Sequence, residues 1–369
     1  MPPVHEKTLH MKRPYNFSAG PSMLPEPVLE TIQAELMDYR GLGCSVMELN
    51  HRSDAFEEIL HGLEARIRRL LKVPEDYAVL FCPGGGRMQF SMVPLNLLGA
   101  GVSASYVVTG TWSKGAANEA ARFARVHVAY HGNGTKLPDE EMLDIPEDAS
   151  YVYYCDNETV HGIEFPEPPA AMVGIPVACD MSSNFMSRPF DVSRYGLVWA
   201  GTQKNFGIAG LAVVIVRRDL LGLASPEVPT MLNYDTYVRT GNLPNTPPVT
   251  QIYVANLMAQ WIEKEGGLDV MNARAIERSS MVYDALDACP HMYATKVDPK
   301  ARSRMNVTFR LRDEMLTDVF VKEAAEAGFI NLAGHRTVGG IRASLYNAMP
   351  IEGAAGLSSF IRTFALRHA

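Results

Sequence analysis

Between residues 77 and 216, short unbroken apolar runs take turns with stretches whose apolar positions recur every three or four residues. The runs are YAVLFC (77–82), ASYVVT (104–109), YVYYC (151–155), IPVAC (175–179), GLVWA (196–200) and LAVVIV (211–216). A strand with one wet face alternates apolar with polar positions. These do not, so each is predicted to be covered on both faces. Helices predicted at 87–98 and 113–124 follow the first two runs and supply cover. The pattern is that of an α/β domain, a mostly parallel sheet sandwiched by helices. In such sheets ligands gather in loops at the carboxyl ends of strands, which is where chemistry is to be sought.

After residue 245 the texture changes. NTPPVTQIYVANLMAQWIEKEGGL (245–268) reads as a proline turn and a long helix stopped at Gly266 and Gly267. Leu268, Met271, Ala275, Val282 and Leu286 then share one face of a further helix. RMNVTFRL (304–311) alternates as a half-buried strand, followed by a helix to about Ala327 and a strand near GIRASL (340–345). The expected organisation is a flexible extension at 1–14, a large domain at 15–264 and a smaller α+β C-terminal domain at 265–369.

Composition narrows the class. With 369 residues, 47% of them apolar, the chain has material for two sizeable cores. A net charge of −7 argues against a general nucleic-acid binder, while leaving room for local basic clusters that hold small anions. The five cysteines are widely spaced with no CxxC pair, which reads as buried reduced thiols and a cytoplasmic protein. No apolar run reaches the roughly 18 residues of a membrane span, and the first fifteen residues lack the apolar core of a secretory signal.

Four strand ends carry candidate chemistry. FCPGGGRMQF (81–90) puts three glycines and Arg87 between a strand and a helix, where bare backbone N–H groups could cradle an anion. It reads equally as a plain turn, and its spacing matches neither nucleotide-binding glycine motif. TGTWSKG (109–115) places Trp112 where it either packs in the core or stacks on a planar ligand. IPVACDMSSN (175–184) ends on Asp180, a carboxylate that burial makes costly without a cationic partner. LVWAGTQKNFGIAG (197–210) holds Lys204 between two apolar flanks, 24 residues further on. In this order the loops offer a phosphate cup, a ring stack, a partner for a pyridinium nitrogen and a Schiff-base amine. Pyridoxal phosphate asks for those four things.

NFSAGPSMLPEPVL (16–29), GCSVMELNHRS (43–53), GGGRMQF (84–90), SRPFDVSRYG (187–196), GTQKNFGIAGL (201–211), NTPP (245–248) and GHRTVGGIRASLYNAMP (334–350) carry a further signal. Through them the chain strongly resembles the phosphoserine aminotransferases, class V aminotransferases of the pyridoxal phosphate fold-type I group. The resemblance runs nearly end to end from about Tyr15. It implies that Lys204, preceded by Gln203, carries pyridoxal 5′-phosphate, that Asp180 pairs with its ring nitrogen and that Trp112 stacks on the ring. Thr159, Gly86 and Arg87 would contact the cofactor, and Asn245 and Thr246 would reach the cofactor phosphate of a neighbouring subunit, making a homodimer with composite sites. His51, Arg52, Arg87, His335 and Arg336 would bind the substrate phosphate or side-chain carboxylate, with Arg342 on the α-carboxylate. The reaction implied is transamination between L-glutamate and 3-phosphohydroxypyruvate, giving 2-oxoglutarate and O-phospho-L-serine. In some relatives it extends to the phosphorylated four-carbon substrate of pyridoxine biosynthesis. Ala19, Met88 and Ile208 depart from residues common in the family, and none is a catalytic group.

The cation pairs have a reading of their own. Both HR dipeptides sit in glycine-rich or polar loops of an acidic chain, and arginine's planar fork meets carboxylate and phosphate in two-point contacts. Rival readings are another class V enzyme, such as a small-amino-acid aminotransferase or cysteine desulfurase, and a non-catalytic binding protein on the same fold. Against the first stands Trp112 where those families usually stack a histidine. Against the second stand Lys204 and Asp180 themselves. The ten histidines show no HExxH or paired Cys/His spacing, so a metal enzyme is disfavoured.

Overall fold

The computed structural model describes residues 13–99, 103–172 and 174–368, so the expected extension at 1–14 lies almost wholly outside the described residues. In chain order the elements are β1 (Tyr15–Asn16), α1 (Glu26–Glu35), α2 (Asp54–Leu71), β2 (Tyr77–Pro83), α3 (Gln89–Leu97), β3 (Ser103–Val108), α4 (Thr111–Ala120), β4 (Arg125–His131), β5 (Val152–Cys155), β6 (Asn157–Glu158), β7 (Ile163–Glu164), β8 (Val177–Asp180), β9 (Leu197–Gly201), β10 (Leu211–Arg217), α5 (Tyr234–Arg239), α6 (Val249–Lys264), α7 (Gly267–Asp287), β11 (Tyr293–Ala294), β12 (Asn306–Leu311), α8 (Thr317–Glu326), β13 (Phe329–Ile330), β14 (Ile341–Ser344) and α9 (Ile351–Arg367).

Seven strands form the central sheet in the order β2-β10-β9-β8-β5-β3-β4. All run the same way except β10, which is antiparallel to both its neighbours. Alternate residues of these strands enter two different cores. Val79, Phe81, Val152, Tyr154, Val198 and Val213 pack with Phe56, Leu60, Leu63 and Ile67 of α2 and Ile252, Ala255 and Ala259 of α6. Leu80, Cys82, Tyr106, Tyr153, Trp199 and Val214 pack with Phe90, Val93 and Leu97 of α3 and Ala116, Ala117 and Ala120 of α4. That double cover is why the strands read as unbroken apolar runs. β4 is the exception: at the sheet edge it keeps Arg125 and His131 exposed, so its sequence shows no such run.

The C-terminal part has its own core, in which Val282 and Leu286 of α7 meet Val307 and Phe309 of β12, Phe320 of α8 and Phe364 of α9. The α6 helix ends at Lys264, and Gly266, at φ 106°, turns the chain into α7 through the left-handed region that suits glycine. Tyr15–Asn16 pairs in parallel with β13, and Phe17 is buried in the C-terminal core rather than in either face of the large sheet. From Tyr15–Phe17 on the small lobe the chain therefore passes Lys204 on its way into the large one. Ser22 N donates to Gln203 O at 2.9 Å, and Ser22 Oγ donates to Lys204 O.

Candidate active site

Six of the sequence-predicted residues converge at the carboxyl ends of β2, β3, β5, β8 and β9. Lys204 leaves the end of β9 on a tight turn whose Thr202 Oγ1 donates to Ile208 O at 2.5 Å. Its Nζ donates to Thr159 Oγ1 at 2.7 Å and lies 5.6 Å from the centroid of the Trp112 ring. Burial pushes the amine below the ordinary lysine range, opposed mainly by Asp180 and then by Cys155 and Glu158. The neighbouring Asn205 is locked, its Nδ2 donating to Ser183 O at 2.6 Å and its Oδ1 accepting from Asn347 N at 2.9 Å. A lysine so placed is no solvated turn cation.

Asp180 is the last residue of β8, 7% exposed. The sequence reading expected a cationic partner. Instead Ser182 N donates to Asp180 Oδ1 at 2.9 Å, while Lys204 bonds Thr159 and acts on the carboxylate only through its field. The carboxyl consequently sits above the ordinary aspartate range, chiefly through burial, with the Lys204 charge opposing. A buried carboxylate short of a cation is what a protonated pyridine nitrogen would complete.

The other donor groups also fit pyridoxal phosphate. Gly84 and Gly85 adopt φ of 93° and 71°, turning the end of β2 so that α3 can follow. A side chain at Gly86 would meet Ser182 Oγ at 2.9 Å and Gly201 N at 3.3 Å, so the glycine loop rests directly on the end of β9. Gln203 spans the same contact, since a Cβ at Gly201 would meet its Oε1 at 2.7 Å and Gly86 N at 3.0 Å. Its buried Oε1 and the buried indole Nε1 of Trp112 have no protein partner, which leaves both free for a ligand. The Trp112 face is half exposed toward Lys204.

The residues read as substrate binders separate into two groups. His335 and Arg342 line a cavity of about 180 Å³ together with His161 and Lys296, and no Asp or Glu lines it. Arg342 projects from β14 with its buried Nε unpaired, and burial lowers its guanidinium below the usual arginine range. Burial, then the charges of Arg342 and Arg336, lowers the His335 imidazole. Arg336 is exposed on the same loop and does not line the cavity. His51 and Arg52 lie in the turn before α2, and Asn245 and Thr246 in the exposed stretch before α6. None of these four lines the cavity or bonds the Lys204 group within this chain. Arg87 is exposed and lines a separate shallow opening with Met88 and Glu119.

Sequence reasoning named Thr159 and passed over its neighbour. Glu158, fully buried, accepts from Trp112 N at 2.9 Å, Ser113 N at 2.8 Å and Ser113 Oγ at 2.6 Å. The only signal was its place inside a motif already chosen for the threonine. His161, Asn205 and Asn347 were likewise missed, because nothing local distinguishes a clamp or lining residue from an ordinary loop residue.

Residues 14–357 match the class V aminotransferase family. The phosphoserine aminotransferase of Chromobacterium violaceum is 45% identical over 361 residues, covering 97% of this chain and all of the relative. Among solved structures, a phosphoserine aminotransferase from Bacillus circulans subsp. alkalophilus superposes with a TM-score of 0.94 at 43% identity, covering 97% of this chain and 99% of that one. The pyridoxal phosphate-bound phosphoserine aminotransferase of Trichomonas vaginalis gives 0.91 at 39% identity, covering 95% of this chain and all of that one.

Proposed function

We propose that this chain, which belongs to the phosphoserine aminotransferases of the class V aminotransferase family, moves an amino group from L-glutamate to 3-phosphohydroxypyruvate. The products are 2-oxoglutarate and O-phospho-L-serine, and the cofactor is pyridoxal 5′-phosphate. The observation that carries the reading is the Lys204 amine, held 2.7 Å from Thr159 under the Trp112 face at the ends of the core strands. When bound, pyridoxal phosphate supplies an electron-poor ring that holds the electron pair left behind as the α-proton departs. Lys204, Asp180, Trp112, Gly86, Thr159 and Gln203 would hold it.

The chain's own groups do the rest. Lys204 Nζ, its basicity reduced by burial, is the group placed to take the α-proton and return it. Asp180 would set its carboxylate against the ring nitrogen and so favour that nitrogen's protonated form. Arg342 meets the α-carboxylate, its unpaired Nε aimed at no protein acceptor. His335 and Arg336 take the phosphate of one substrate and the γ-carboxylate of the other, while Arg87 lines a separate opening beside the glycine loop.

The functional unit in this reading is a homodimer in the cytoplasm. Asn245, Thr246 and Arg52 are exposed, His51 is half-buried, and none of the four bonds the Lys204 group within this chain, which suits residues that complete a neighbour's site. The stretch between α1 and α2 also exposes Met37 (83%), Leu42 (55%) and Met47 (56%), apolar area that a second copy would cover. Five free thiols, three of them buried, support a reducing compartment. No helix among the described residues is long and apolar enough to cross a membrane. The domain division near residue 264 belongs to the same reading, with Tyr15–Phe17 added to the small lobe.

Two measurements test it. The visible cofactor band should shift with L-glutamate and with O-phospho-L-serine, and far less with L-serine. Equal response to serine and phosphoserine would remove the phosphate from the assignment. Mixing Lys204→Ala chains with Asn245→Ala/Thr246→Ala chains should restore part of the activity, because one site of each hybrid is intact. No recovery after proven subunit exchange would remove the composite site.

A further inference from the structure

Among the described residues, Glu158 has no cation within ion-pair distance. It is fully buried at the end of β6, and its carboxylate lies over the N-terminus of α4. Every group that touches it donates. Oε2 accepts from Trp112 N, and Oε1 from Ser113 N and Ser113 Oγ. Ser113 Oγ in turn accepts from Thr109 N at 2.9 Å and Gly110 N at 3.0 Å. The carboxylate thus organises, directly or through Ser113, the N–H groups of Thr109, Gly110, Trp112 and Ser113, between β3 and the first turn of α4. These donors favour the carboxylate anion, opposing burial, which raises the carboxyl above the ordinary glutamate range. The fit is also tight: a Cβ at Gly110 would come within 2.7 Å of the Glu158 carboxyl carbon.

This cluster stands between two groups of the site. Glu158 fixes the backbone of Trp112, the ring that faces Lys204, and is bonded through the chain to Thr159, the hydroxyl that holds the Lys204 amine. We infer that Glu158 is a positioning residue that sets the Trp112 ring against the cofactor, so that the stacking surface and the lysine's partner are placed by a single dipeptide. It fills the positive end of α4 with a built-in anion. The cofactor phosphate is thereby left to the glycine loop before α3, the other strand-to-helix junction of the site. The inference rests on the cofactor reading above, and not on which substrate is used.

Three variants and one double variant test it, all as apo protein titrated with pyridoxal phosphate. Glu158→Gln keeps the volume but sets an amide N–H₂ against donors. It should weaken cofactor binding by about 10- to 100-fold, the worth of hydrogen bonds to a charged group. The visible circular-dichroism band of bound cofactor should shrink with it, because the stacked ring is no longer held in register. Ser113→Ala, which leaves the carboxylate in place, should shift both readouts in the same direction by less. The deciding measurement is the cycle with Trp112→Ala. If Glu158 acts through the indole, Glu158→Gln in that background should change the dissociation constant by less than about 3-fold, a strong departure from additivity. Additive losses, or a folded Glu158→Gln protein with full binding and an unchanged dichroic band, would overturn the inference. Should Glu158→Gln not fold, Ser113→Ala and its cycle with Trp112→Ala decide by the same criterion. Wild-type protein that fails to bind pyridoxal phosphate would overturn the cofactor reading first, and this inference with it.

Discussion

Around Lys204 the polar groups are tied to one another, whereas among the described residues Arg342 and Arg336, on and beside β14, have no carboxylate partner, unlike Arg310 in the same cavity wall, which pairs with Glu314. On the floor, Glu158 takes three hydrogen bonds, Thr159 holds the lysine amine and Asn205 is gripped from two sides. At the mouth, Arg342 Nε is buried without a partner and Arg336 is exposed, while no carboxylate lines the cavity. The floor is therefore preorganised by the protein itself, which is the condition for fixed groups to act on a reacting atom without first rearranging. The mouth stores unpaired positive charge, which only an anionic substrate or a second subunit can discharge. Damage to the floor should fall on turnover for every substrate. Damage to the mouth should fall on anion selectivity.

The largest effect expected is at the floor's centre. Lys204→Ala removes both the covalent anchor and the base, and kcat should fall by on the order of 10⁴-fold. Cofactor should still bind non-covalently to Trp112, Thr159 and Asp180. Borohydride reduction followed by peptide mapping should label Lys204 in the wild type. A label on another lysine would move the floor elsewhere.

Asp180→Ala comes next. The carboxylate ends a core strand with one protein hydrogen bond from Ser182 and a charge held back by burial. Its loss leaves the ring nitrogen without a counter-charge, and kcat should drop roughly 10²- to 10³-fold, in line with other preorganised electrostatic groups. The glutamate KM should move much less, because the interaction strengthens as the α-proton leaves. Comparable changes in kcat and KM would mean the residue only holds the pocket together.

The floor and the mouth also differ in how far the sequence exposes them. Strands buried on both faces write themselves as apolar runs, so the ends of β2, β3, β8 and β9, and with them Gly86, Trp112, Asp180 and Lys204, are found from pattern and spacing. The edge strand β4 is invisible by that criterion, because Arg125 and His131 bound it and His127 interrupts it. So is the pairing of Tyr15–Asn16 with β13, a contact more than 300 residues apart in sequence. The cation that Asp180 was expected to need is not supplied within hydrogen-bond distance by the described residues, since Lys204 bonds Thr159 instead. Glu158 went unread because its three donors come from a loop 45 residues away. The mouth residues were assigned to particular substrate groups only through family resemblance, since loop context suggested an anion site for the HR pairs without saying which anion.

At the mouth the expected losses are smaller and selective. Arg336→Ala should lower kcat/KM for O-phospho-L-serine by about 10- to 100-fold, the worth of one charge-assisted hydrogen bond set. Glutamate, with a single negative charge on its side chain, should lose less, and unphosphorylated serine almost nothing. Arg342→Ala should instead weaken all three, since each has an α-carboxylate. Measuring both half-reactions for the two variants separates the roles. Equal proportional losses for serine, glutamate and phosphoserine in Arg336→Ala would make the loop a structural feature.

Trp112→Phe should have the smallest effect, and it tests where floor and mouth meet. The indole presents its half-exposed face toward Lys204 Nζ, 5.6 Å from the ring centroid, and its buried Nε1 has no protein partner. Phenylalanine keeps an aromatic face on the same backbone, still fixed by Glu158 through the residue 112 N–H. It loses area and quadrupole, and it also removes a buried donor that the protein leaves unsatisfied. The first two weaken cofactor stacking, worth about 0.5–1.5 kcal/mol for an aromatic pair. The third offsets part of that, unless the bound cofactor accepts from Nε1. The net expectation is a roughly 2- to 10-fold weaker cofactor affinity, with kcat at saturating cofactor within a few-fold of wild type and no change in preference between phosphoserine and serine. A loss well beyond tenfold would mean that Nε1 donates to the cofactor or substrate, and the indole would then belong to the mouth as much as to the floor.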